Sequence, residues 1–147
     1  MIHNPITQLE QLTINTKSKA FLKETAKWAF FFSILGFISI AFMVILGVFS
    51  NLLFNALPQA KGVPFDLGLV MTITYLVLAI IYFFPVYYLM LFSSRMKKAL
   101  ATKNDETLAD AFEVLKSHYK FIGVFTIITL SLYAMLIVVS IVSGSLL

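Results

Sequence analysis

The chain contains no cysteine. Disulfides, thiolate nucleophiles and cysteine-ligated metals are excluded, and cysteine usage gives no redox compartment. Charge is scarce too. Asp, Glu, Lys and Arg make up 12% of the 147 residues, against roughly a quarter in an ordinary soluble domain. So few charges do not coat a water-facing surface of this length. None falls within three long stretches, Trp28 to Phe54, Leu67 to Ser94 and Phe121 to Leu147. Proton relays, ion-coupled carriers and voltage sensors normally need an ionisable group in such a stretch. The P-loop, G-x-S-x-G, H-E-x-x-H and dinucleotide fingerprints are all missing. The only histidines are His3 and His118, and His118 has no second ligand paired with it, so no metal site is expected. Asp105, Glu106 and Asp110 are explained more simply by a helix start than by a metal. Catalysis is not expected, and no cofactor is implied.

What is present is apolar. The chain is 60% hydrophobic, with mean hydropathy +0.93. Each uncharged stretch exceeds the roughly 20 residues a helix needs to cross ~30 Å of hydrocarbon. A water-free core demands internally paired backbone, which a helix supplies. The sequence therefore predicts an all-α membrane protein with three transmembrane helices, at about 28–54, 67–94 and 121–145. A mostly polar segment, residues 1–27, precedes the first span. It is too long for a signal-peptide n-region and no A-x-A-like site follows convincingly, so the N-terminal end is expected to stay in the mature chain.

A net charge of +4 and a pI near 9.4 could suggest nucleic acid. The basic residues instead flank apolar runs, so the expected partner is the lipid bilayer and not nucleic acid. Lys17, Lys19, Lys23 and Lys27 precede the first span. Arg95, Lys97, Lys98, Lys103, Lys116 and Lys120 lie between the second and third. Only Lys61 lies elsewhere. The positive-inside rule then predicts a cytoplasmic N-terminus and 95–120 segment, with the 55–66 loop and the C-terminus outside. The loop, with two prolines and a glycine, reads as a short turn.

One phrase occurs twice: LKETAKW at Leu22–Trp28 and LKSHYKF at Leu115–Phe121. Lys23 and Lys27 are four apart and share a helix face, as do Lys116 and Lys120. Trp28 or Phe121 follows. Lysine stems lie along apolar surface while their ammonium groups reach lipid phosphates, and aromatic rings prefer the headgroup boundary. Lys23, Lys27, Trp28, Lys116, Lys120 and Phe121 are read as a membrane anchor that sets the depth of two parallel helices. His118 is expected to face headgroups. Convergent anchor grammar explains the phrase more simply than duplication.

Residues 95–120 carry more than a loop. The second helix is expected to continue through RMKKALAT and turn near Lys103–Asp105. Asn104 or Asp105 caps the next helix, or Thr107 with Asp110 forms a loose capping box. Leu108, Ala111, Phe112, Leu115, Tyr119 and Ile122 recur at helical spacing. The expectation is a cytoplasmic helical hairpin projecting beyond the bilayer, either folded on its own stripe or docking a partner. In the tail at 1–27, Asn4 and Pro5 suggest the start of a short amphipathic helix.

Small residues mark packing faces. Ala29, Ser33, Gly36, Ser39, Met43, Gly47 and Ser50 share one side of the first span; Gly68, Thr72, Tyr75, Ala79 and Tyr82 do so on the second. Small side chains let helix backbones approach in lipid, within a protomer or across an oligomer. Pro85 is expected to kink the second span and free the carbonyl of Ile81.

The combination of AKWAFFFSILGFI and ILGVF, a basic stretch after the second span, and LADAFEVLKSHYKFIGVFTIITL resembles small inner-membrane proteins of Bacteroidota grouped under a domain of unknown function. The resemblance covers about Leu22 to Val139. It implies a bacterial inner (plasma) membrane location, and it supplies no functional residues. The expected function is that of a non-catalytic small integral membrane protein, either self-associating as a homo-oligomer or an accessory subunit scaffolding a larger membrane complex. The alternative is a homo-oligomeric channel or transport protein, its pore lined by Thr72, Tyr75, Tyr82 and the serines of the first span.

Overall fold

The computed structural model describes residues 14–56 and 65–144. The tail helix expected near Asn4 and Pro5, most of the 55–66 turn and the expected span end at 145 lie outside the described residues. Three helices form in order, α1 (Thr16–Ala56), α2 (Leu67–Thr102) and α3 (Asp105–Gly144), with no strand among the described residues. All three are long and apolar enough to cross a membrane, the build of a multi-pass membrane protein. At 41, 36 and 40 residues they exceed the expected spans, because the polar flanks continue the same helices.

Local chemistry fixes the ends. Asn15 accepts the Ser18 backbone N–H at 2.7 Å and starts α1. Asp66 accepts from the Leu69 N–H at 3.0 Å and starts α2. α2 stops where Lys103 turns into the left-handed region (φ 53), its N–H reaching back to the Ala99 carbonyl. Asn104 then accepts the Thr107 N–H at 2.8 Å. The cap of α3 is therefore Asn104. Thr107 stands at the donor position of that cap and opens no capping box of its own. Asp105 and Glu106 occupy the first turn, where the helix dipole favours negative charge.

α1 and α2 pack antiparallel along their whole length. Successive contacts pair Ala26 with Ser93, Gly36 with Val86 and Gly47 with Tyr75, Ser50 with Thr72 and Asn51 with Gly68. The small-residue faces of the first two spans meet each other within one protomer. Ser39 departs from that face. It is exposed, and its hydroxyl donates to the Leu35 carbonyl of its own helix. The half-buried Ile40 takes its turn on the buried side, because a 3.6-residue repeat drifts off a strict three-residue step.

α3 packs chiefly on α2, over its first half. Ala111 and Val114 join Ala26, Ala29, Phe92 and Met96 in one buried cluster, with Leu22, Leu89, Leu100, Leu108 and Leu115 against it. All three helices contribute to this cluster. Beyond it α3 leaves the pair, and every residue from Leu130 to Gly144 is exposed.

The glycines rank the α1–α2 contact. A Cβ at Gly68 would lie 2.8 Å from the Asn51 Cα, which is backbone and does not rotate away. A Cβ at Gly123 would meet nothing within 4 Å. Gly68→Ala should therefore lower stability in detergent by about 1–3 kcal/mol. Gly123→Ala should be neutral or raise it by up to about 1 kcal/mol, since alanine is the better helix former. Thermal unfolding of the two variants checks the ranking; equal stability would mean the helix ends are not this close.

Candidate functional site

Side-chain chemistry converges where α3 leaves α2. The stripe that α3 turns toward α2 runs through Leu108, Ala111, Val114, Leu115 and His118. Tyr119, expected on that stripe, is 66% exposed, and Phe112 and Ile122 are exposed as well. The periodicity carries through His118, a position passed over in the sequence because the residue is polar. Its polarity is met internally: His118 Nδ1 lies 2.8 Å from the Pro85 carbonyl oxygen. A carbonyl only accepts, so Nδ1 carries the proton and donates. His118 thus faces α2, not the headgroups expected of it.

Pro85 lies inside an unbroken α2. The α3 partner there reaches the proline's own carbonyl, not the Ile81 carbonyl that the sequence pointed to. Above this bond the helices diverge around a cleft of about 440 Å³, lined by Tyr82, Pro85, Val86, His118, Phe125 and Thr129, among others. Tyr82 is exposed toward it, whereas Thr72 and Tyr75 are half-buried against α1. On the opposite flank of Phe121 and Phe125 lies a second groove of about 420 Å³, which reaches Tyr88, Ser117 and Lys120. Phe121 is half-buried with its ring 5.8 Å from Phe84. Trp28 is exposed and pairs with Phe31 and Phe32.

The hydroxyls are already bonded. Ser33 donates to the Phe30 carbonyl at 2.7 Å, Ser50 to Gly47 at 2.6 Å, Thr72 to Gly68 at 2.9 Å and Thr129 to Phe125 at 2.8 Å. Two contacts cross helices: the Ser50 and Thr72 hydroxyls lie 3.2 Å apart, and Ser93 donates to the Ala26 carbonyl at 2.6 Å in a fully buried setting. Sequence reading missed Ser93, Phe92 and Met96 because they sit at the polar end of the second span. Ala29, Ser33, Gly47, Gly68 and Ala79 are buried, and Gly36, Met43 and Thr72 half-buried. These residues pack helices. No group of three metal-ligating side chains occurs among the described residues.

The doubled phrase does not sit at one level. Ser93 meets Ala26 of α1 close to where Arg95 reaches Asp110 of α3, and Val86 meets Gly36 close to the Pro85–His118 bond, so a residue of α3 stands level with the residue roughly 81–86 positions earlier on α1. Lys23 and Lys116 are 93 positions apart. The second phrase therefore lies roughly 7–12 residues, or ~10–18 Å, further along the bundle than the first. Lys120 comes level with the uncharged run of α1, beyond Lys27. Lys23, Lys27, Lys116 and Lys120 are all exposed.

The His118–Pro85 bond is one of few polar ties between α2 and α3; Arg95 adds a long one, Nη1 to the Asp110 carbonyl at 3.5 Å. His118→Ala should loosen α3 by about 1 kcal/mol and speed amide exchange over 105–125. Tyr119→Ala, on the exposed side, should leave exchange unchanged. Hydrogen exchange by mass spectrometry checks this, and equal effects would remove the bond's special role. Comparison with protein-family models, curated proteins and solved structures finds no match to this chain.

Proposed function

We propose that the protein is a non-catalytic integral membrane protein of the bacterial inner membrane that self-associates, or steadies a larger membrane complex, through its third helix. One observation carries the reading: every residue of the outer half of α3, from Leu130 to Gly144, is exposed. Lipid alone satisfies an apolar helix, but a helix that parts from its neighbours also offers a whole surface for another helix. α1 and α2 use their small faces on each other. The channel reading is less well supported, because the serines of the first span donate to their own helix carbonyls and Thr72 and Tyr75 pack toward α1.

The N-terminus is taken as cytoplasmic and the C-terminus as periplasmic from the placement of the basic residues. The 95–120 segment is then a cytoplasmic helical hairpin, its turn at Lys103–Asn104 and its base in the Phe92–Met96 cluster. The resemblance to Bacteroidota inner-membrane proteins rests on the sequence phrases and supplies the compartment.

A chain without cysteine makes both halves of this proposal testable. In intact cells, Gln59→Cys and Ser145→Cys should react with an impermeant maleimide, and Ser18→Cys and Thr107→Cys should not. Labelling at 107 would overturn the topology. In native membranes, Leu136→Cys on α3 should cross-link into discrete larger species, while Phe32→Cys on the exposed side of α1 should not. Absence of any α3 cross-link would overturn the interface.

A further inference from the structure

We infer that the groove between α2 and α3 on the Lys120 side binds one anionic phospholipid, its phosphate at Lys120 and Tyr88 and an acyl chain along Val124, Phe125 and Ile128. The groove holds about 420 Å³ and is polar at one end only, a size within the usual range of ligand pockets. Lys120 and Ile128 are eight residues apart on α3, so charged and apolar ends are separated by ~12 Å. That is the layout of a lipid, with a charged head and an apolar tail, and it fits no small polar solute.

Charge complementarity selects an anion. Lys116 stands one turn from Lys120 on the same face. Neither lysine makes an ion pair among the described residues. Glu113 continues the Ser117 stripe toward the cluster, about seven residues or ~10 Å from Lys120, too far to neutralise it directly. The half-buried Tyr88 lines the groove, and its hydroxyl makes no hydrogen bond among the described residues, which leaves a donor for a phosphate oxygen. Ser117 already donates to the Glu113 carbonyl at 3.0 Å. Its oxygen can only accept, which suits a headgroup that bears a hydroxyl.

The register supplies the depth. The uncharged run of α1, Trp28 to Phe54, is ~40 Å long, close to the thickness of a bilayer with both headgroup layers. Lys27 then sits at the outer edge of one headgroup layer. Lys120, ~10–18 Å further along the bundle, stands past that layer's inner edge, and its stem reaches back toward the phosphates. A cation there is stabilised by a fixed counter-anion more than by bulk water. The first lysine pair touches the membrane from outside; the second reaches into it beside a groove.

The purified full-length protein, stripped of lipid in a non-ionic detergent, is titrated with phosphatidylglycerol and with phosphatidylcholine and followed by native mass spectrometry. A saturable one-to-one adduct is expected with phosphatidylglycerol, and a weaker one with phosphatidylcholine. Lys120→Gln should weaken phosphatidylglycerol binding about fivefold, the effect of one lysine at an anionic headgroup. Lys120→Arg should retain it. Ile128→Trp, an exposed position that tolerates bulk, should displace the acyl chain and reduce binding of both lipids. Lys27→Gln should change nothing. Equal losses at Lys27 and Lys120 would mean diffuse electrostatics in place of a site. Unsaturable binding, or Ile128→Trp without effect, would likewise overturn the proposal.

Discussion

The close approach of α1 and α2 sets the frame on which everything else is hung. In lipid, apolar helices gain nothing from leaving water, so they associate by van der Waals fit and a few polar ties. Here the fit comes from Gly36 over Val86, Gly47 over Tyr75 and Gly68 over the backbone of Asn51. The polar ties are Ser93 to the Ala26 carbonyl and the Ser50–Thr72 hydroxyl pair. These contacts lock one antiparallel register. A slip of α1 by a turn would drive Val86 or Asn51 into a position that carries a side chain.

That register decides what α3 meets. Phe92 and Met96 are fully buried because Ala26 and Ala29 approach from one side and Ala111 and Val114 from the other. Alanine is small enough to let three helices share two large side chains. Past this cluster α3 has only α2 to touch, and the His118–Pro85 bond is the last polar tie before the helices part. The divergence opens two grooves astride Phe121 and Phe125. A single departure of one helix thus creates both the exposed outer half of α3 and the amphipathic groove at Lys120. Partner-binding and lipid-binding proposals rest on different parts of the same helix, and either can stand without the other.

Much of the fold was legible because bilayer physics leaves few choices. Three uncharged runs longer than a hydrocarbon core, in a chain with 12% charge, specify three helices. Asn104 as a cap was readable from its side chain, which can accept a backbone N–H. The site was less legible. His118 was read as a headgroup residue because histidine is polar and stood among lysines; its pairing with a carbonyl 33 residues away has no local signature. Ser39 was placed on the packing face by its small size, but size does not say which way a helix turns by the time it reaches its neighbour. The doubled phrase misled most. Two identical local patterns invite the same depth, yet depth depends on how far each helix has travelled along its neighbours.

The sequence by itself determined the number of helices and the asymmetry of basic residues, because these follow from local composition and from the bilayer's demand for paired backbone. The tertiary structure alone decided the offset of roughly 81–86 positions between α1 and α3. It also turned His118 toward α2, left Leu130 to Gly144 uncovered and set Lys120 beside a groove. The reason is physical. Register between two helices is fixed by the side chains that interdigitate at their contact, and those partners are far apart in the chain, so no window of sequence contains both halves of the fit.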